Sequence, residues 1–197
     1  MKSFWDNKKS RWRQTSANKY LSLISSPNYN SSYAEVLVDD FVIPYFDIDH
    51  LDPSFKLNDV IEKIKISFLS YFNCNTKKLI VTITKNKSKP SYHIYFKGQN
   101  IKYFVRKREL KKFVRDFNKH FEYNNSKRGD ENELLDPLVY GSSQIFRSIN
   151  QPKPSTHKAL GDINTSHEVI QGEPEDTIIQ NFSIYKDILI EPIITFE

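Results

Sequence analysis

Glycine is scarce: the chain of 197 residues holds five. A glycine-rich phosphate loop needs several of them close together. Neither G-x-G-x-x-G nor G-x-x-x-x-G-K-[ST] occurs, which excludes a dinucleotide fingerprint and a P-loop. There is one cysteine, Cys74, so an internal disulfide and a cysteine-rich zinc site are excluded and a reducing compartment is expected. No apolar run approaches the ~18 residues of a membrane-spanning helix, and no membrane partner is expected. The opening stretch MKSFWDNKKSRWRQ is basic with no apolar core behind it, so a secretory signal is not expected there.

Aromatic residues are what the chain has in quantity. Fourteen Phe and eleven Tyr, within a hydrophobic fraction of 38%, supply a substantial core. Lysine and arginine outnumber the acids by 29 to 24, a net charge of +5 that leans mildly toward a polyanionic partner. The length suits one domain with a tail.

Residues 1–32 read as a basic N-terminal arm with a short helix near 18–24, and 33–197 as a single domain. Segments 34–38 and 41–49 are dense in β-branched and aromatic residues and predict strands. After the Asp52-Pro53 break, Leu57, Val60, Ile61, Ile64 and Phe68 recur at helical spacing and predict a helix over 55–72. Strands follow at 79–84 and 91–96, around a lysine-rich turn, and a second helix over 105–122. Beyond a polar loop at 123–133, residues 134–140 and 144–150 look extended, Pro174 opens a helix, and 188–196 forms a last strand. The order predicts an α+β fold.

Within YFDIDHLD, residues 45–52, Asp47 and Asp49 stand two apart in a strand. They project from one face with Cα atoms roughly 6.5–7 Å apart. Two ionised, half-buried carboxylates repel, and a divalent cation relieves that repulsion. The alternative is that one caps the next helix while the other meets solvent. KPSYHIYF places Ser91 and His93 on one strand face, where His93 also suits a hydrogen-bonded structural role. LLDPLVYGSSQIFRSINQPK sets Asp136 among apolar residues, then Arg147 and Lys153; Asp136 before Pro137 also reads as a turn start. His50, His120, His157 and His167 form no ligand pattern. The helix face with Arg106, Lys107, Arg108, Lys111, Lys112 and Arg115 is either simply solvated or a sequence-blind phosphate contact.

Taken in order, D-h-D, S-x-H in an apolar strand, and an apolar-flanked Asp followed by V-Y, Arg and Lys resemble the motifs of the archaeo-eukaryotic primase superfamily. The branch they are most similar to is the primase module of large DNA virus primase-helicases, of the poxvirus and related type. HEVIQGEPEDTIIQNF is also similar to the segment after the third motif, and the likeness runs from about Phe41 to about Phe182.

The resemblance implies an RRM-like antiparallel palm sheet with flanking helices and a smaller α/β lobe. It implies that Asp47, Asp49 and Asp136 are the catalytic ligands of a two-metal Mg²⁺ or Mn²⁺ site. Ser91 and His93 would hold the triphosphate, with His93 often protonated, and Arg147 and Lys153 would lie near nucleotide phosphates or template. The implied partners are a single-stranded DNA template, NTPs or dNTPs and a separate replicative helicase. The implied location is the site of DNA replication, in a host cell or virus factory. Two rivals stand beside it. A metal-dependent nuclease wants an acid where TITKNK has Thr82 or Thr84. A catalytically silent nucleic-acid-binding accessory protein on the same fold is the other.

Overall fold

The computed structural model describes residues 2–6, 11–25, 33–37, 41–72, 74, 79–99, 102–121, 133–141, 144–152, 163–179 and 187–189. Lys153, nearly all of the predicted loop at 123–133 and most of the predicted strand at 188–196 lie outside these residues. The strands are β1 (Lys2–Asp6), β2 (Arg11–Thr15), β3 (Tyr33–Leu37), β4 (Phe41–Val42), β5 (Tyr45–Ile48), β6 (Leu79–Asn86), β7 (Tyr92–Gly98), β8 (Lys102–Arg106), β9 (Gln144–Arg147), β10 (His167–Gln171) and β11 (Asp187–Leu189). The helices are α1 (Ala17–Ile24), α2 (Leu57–Tyr71) and α3 (Lys107–His120), with short 3-10 turns at Pro137–Tyr140, Ile163–Thr165 and Pro174–Thr177. The fold is α+β, and among the described residues no helix is long and apolar enough to cross a membrane.

One sheet, ordered β10-β6-β7-β5 and antiparallel throughout, carries the residues of interest. β5, α2 and β6 form a strand-helix-strand crossover with β7 inserted between the two strands, a split β-α-β unit. The fourth strand, β10, joins at the β6 side, so β10 and β5 are the two outer strands. Alternation sorts the two faces. Phe46, Ile94 and Ile83 share one cross-strand row, and Asp47, His93 and Thr84 the next. The first row is fully buried against α2 and α3. There Phe68 lies 5.4–6.1 Å ring-to-ring from Phe46, Phe96 and Phe113 and 4.7 Å from Phe72. The second row faces the other way, toward a second sheet ordered β2-β1-β3-β9. A third, smaller sheet joins β11, β8 and β4.

Several sequence expectations are corrected. Much of the expected N-terminal arm is a hairpin: β1 pairs with β2 on one side and with β3 on the other. The strand expected over 41–49 is two strands, because Pro44 has no N–H to continue a ladder. Val105 and Arg106 belong to β8, and the helix starts at Lys107. The extended run expected at 134–140 ends in a 3-10 turn, with Pro137 at its first position and Asp136 as its cap. After Pro174 there is a single 3-10 turn, and β10 was not foreseen.

Gly172 holds φ +85° just past an irregularity in the β10–β6 register. A Cβ there would run into Thr82, whose hydroxyl donates to the buried Asp176 carboxylate at 3.1 Å and so cannot swing aside. Gly172→Ala is expected to lower unfolding stability by roughly 1–3 kcal/mol, read by denaturant titration. An unchanged midpoint would mean that the loop relaxes freely.

Candidate functional site

β5 delivers Asp47 to the polar face of the sheet, directly opposite His93 on β7. His93 Nε2 lies 3.8 Å from Asp47 Oδ1, too long for a hydrogen bond. Asp49 follows at the bend beyond β5, where Lys89 from the β6–β7 turn reaches its Oδ1 at 3.3 Å. Both members of that pair are well solvated, so it orients more than it stabilises. Ser91 is buried just ahead of β7, two residues before His93.

Asp136 arrives from a different part of the chain, and three sets of bonds fix it. Its backbone N–H donates to the Asp47 carbonyl at 2.9 Å. Tyr45 donates its hydroxyl to the Val139 carbonyl at 2.7 Å, and Tyr140 donates its own to the Tyr45 carbonyl at 2.6 Å. From α3, the Asn118 side chain donates to the Leu135 carbonyl at 2.8 Å and accepts from the Leu135 N–H at 3.1 Å, as a neighbouring strand would. The Asp136 carboxylate accepts from the Leu138 N–H at 2.8 Å, so Asp136 does start the turn.

Arg147 closes the group from β9. Its guanidinium donates to the Thr165 carbonyl at 2.8 Å, and its neighbour Phe146 packs on the His93 ring at 4.5 Å. Burial pushes the Arg147 pKa down while Asp47 and Asp49 push it back up. An arginine so placed stays cationic at neutral pH.

The charges explain each other. Burial, then the Asp49 and Asp136 carboxylates, raise the Asp47 pKa from 3.8 to about 7, against the opposing pull of Lys89 and Arg147. Its Oδ1 is buried and has no hydrogen-bond partner among the described residues. Burial, then His167, Arg147 and Lys89, hold His93 well below the usual histidine range. In the free protein His93 is therefore neutral. With His93 neutral, its approach to Asp47 is not an ion pair.

Of the residues singled out in sequence, Asp47, Asp49, Asp136, His93 and Arg147 come together, Ser91 is buried just ahead of β7, and Lys153 lies outside the described residues. His167 and Lys89 were missed. His167 stacks on His93 with ring centroids 3.8 Å apart and planes at 14°. The period-2 pattern of HEVIQ was its one signal, and that shows a strand without showing its neighbour.

Hard carboxylate oxygens are the donors that Mg²⁺ and Mn²⁺ take, and the partnerless Asp47 Oδ1 beside two more carboxylates fits such an ion. The side chains are not gathered for it: among the described residues no three His, Cys, Asp or Glu groups stand close enough to hold a metal. Asp49 is turned toward Lys89 and Asp136 toward its own turn. A groove of about 1010 Å³ lies elsewhere, between α2 and α3 over Ile66, Phe113 and Phe117. Its rim carries the Lys119–Asp116 pair at 3.6 Å. No protein-family model matches the chain, and no curated protein matches it either.

Proposed function

We propose that this chain is the catalytic domain of a primase or primase-polymerase, which joins nucleotides on a single-stranded DNA template. One observation carries the reading beyond the resemblance of motifs. Asp47 keeps a buried, unpartnered oxygen beside the Asp49 and Asp136 carboxylates, with the His93 imidazole 3.8 Å away. That arrangement is costly for a free protein and suits one that receives cations and a triphosphate together.

On this reading Asp47, Asp49 and Asp136 hold Mg²⁺ or Mn²⁺. Such ions lower the pKa of an attacking hydroxyl and offset triphosphate charge. The protein's own part is positioning. The 3′-hydroxyl attacks the α-phosphorus in line and pyrophosphate leaves. His93 donates to the triphosphate from its neutral form, Ser91 lies beside it, and Arg147 adds a cation that cannot be deprotonated. The sheet β10-β6-β7-β5 serves as the palm of the primase fold and β2-β1-β3-β9 belongs to the smaller lobe. NTPs or dNTPs are the substrates, a separate replicative helicase is the partner, and the workplace is the site of DNA replication, in a host cell or virus factory.

The test offers labelled NTPs and dNTPs separately, on primed and unprimed single strands, with Mg²⁺ or Mn²⁺. Lengthened or newly made strands support the reading, shortened strands identify a nuclease, and unchanged strands leave a binding protein. Asp49→Ala is expected to abolish synthesis while keeping a near wild-type melting temperature. His93→Ala is expected to raise the nucleotide KM by roughly 10–100-fold, the worth of a hydrogen bond to a charged group, with kcat changed far less. Wild-type synthesis by Asp49→Ala would remove the reading.

A further inference from the structure

His167 opens β10 opposite Asn86 of β6, which puts its side chain on the face that carries Thr84, His93 and Asp47. The residue is 1% exposed. Its Nδ1 lies 3.3 Å from the Thr84 hydroxyl, while its Nε2 is buried with no partner among the described residues. In the tautomer where the Thr84 hydroxyl donates into Nδ1, the ring hydrogen sits on Nε2 and the orphaned atom is an N–H donor. Native proteins leave few buried donors empty. The charges that act on this ring are those of the site itself: Arg147 and Lys89, with Asp49 opposing. The 14° stack at 3.8 Å makes His93 and His167 one unit, two flat rings side by side. Burial keeps both neutral, which two touching imidazoliums could not be.

We propose that His167 is a second phosphate-binding imidazole of this site, whose Nε2–H donates to the nucleotide triphosphate alongside His93. A metal ion is the poorer ligand for it, because Arg147 and Lys89 would repel a cation there and no three-ligand group exists among the described residues. An anion meets two donors and two cations. The inference rests on the primase reading.

The test measures binding of sodium tripolyphosphate, dATP and deoxyadenosine to the full chain by calorimetry with Mg²⁺ present. It also measures the nucleotide KM and kcat of synthesis. His167→Asn keeps a polar atom near Nδ1 and loses the one at Nε2; His167→Gln extends an amide N–H to about the Nε2 position. The Asn variant is expected to weaken tripolyphosphate and dATP roughly tenfold or more, the Gln variant to recover most of that, and deoxyadenosine to be indifferent. The rise should fall on KM rather than kcat. A purely structural role would lower the melting temperature and would not separate Asn from Gln.

If the Asn variant does not fold, Thr84→Val keeps the ring and frees its tautomer, and a KM several-fold higher is expected. Wild-type KM in a folded His167→Asn or Thr84→Val variant overturns the inference and leaves the primase reading standing. A wild-type protein that neither binds tripolyphosphate nor extends a primer overturns both.

Discussion

Asp47→Asn is expected to give a protein that is inactive and more stable. On the primase reading, the loss follows from removing one of the three proposed metal ligands. The ions are asked for several kcal/mol of transition-state stabilisation, and at about 1.4 kcal/mol per tenfold that is on the order of a thousandfold in rate. The gain follows from the metal-free protein, where Asp47 is 14% exposed with its Oδ1 buried, is repelled by Asp49 and Asp136, and has its pKa raised from 3.8 to about 7. The sign is that of a raised acid. Below pH 3.8 the carboxyl is protonated folded and unfolded, and costs nothing. Between 3.8 and about 7 the unfolded chain releases the proton and the folded one keeps it, so stability falls as pH rises. Above that the full cost is present, up to about 4 kcal/mol at ~1.36 kcal/mol per pH unit. The amide has no proton to lose and escapes this cost. Denaturant melts in EDTA should therefore show the variant about 2–4 kcal/mol ahead at pH 8 and level with wild type near pH 4. Mn²⁺ should stabilise wild type and not the variant. Identical melts at pH 8 would show that this carboxylate carries no strain.

Phe68→Ala should do the opposite: a large loss of stability with the chemistry retained. Phe68 is fully buried and touches the rings of Phe46, Phe72, Phe96 and Phe113, on the side of the sheet away from Asp47. A well-packed core ring truncated to Ala costs about 3–5 kcal/mol, the transfer of the lost atoms plus the cavity left behind. At ~2–4 °C per kcal/mol for a chain of this size, the melting temperature should drop by roughly 10 °C. Below that transition the rate per folded molecule is expected to stay within about threefold of wild type, since Asp47, Asp49 and Asp136 keep their supports. A normal melt with collapsed activity would mean that the helix layer sets the site geometry directly.

Much of this arrangement was legible in the residues. Asp47 and His93 sit on alternating strands whose apolar partners Phe46 and Ile94 declare the buried side, so period-2 counting placed both on polar faces. The spacing of Leu57, Val60, Ile61, Ile64 and Phe68 likewise announced α2. The failures share a cause. Tyr103, Phe104 and Val105 form too short a strand to outvote the helical period that runs on from Leu110. β1 and β2 set three aromatic residues, Phe4, Trp5 and Trp12, among polar ones, so no clean alternation advertises them; their pairing with neighbouring strands does. His167 was opaque because what matters is the strand it lies beside. The β10–β6 pairing spans a distance along the chain that no local pattern encodes.

β5 is an outer strand of its sheet, and the Asp136 N–H occupies the Asp47 carbonyl on its open side. Exposed strand borders invite a second molecule to add on, and proteins guard them. Here the guard is the stretch that brings in the third acid. A shift of that stretch would do double harm, scattering the charged cluster and baring a border on which copies of the chain could stack.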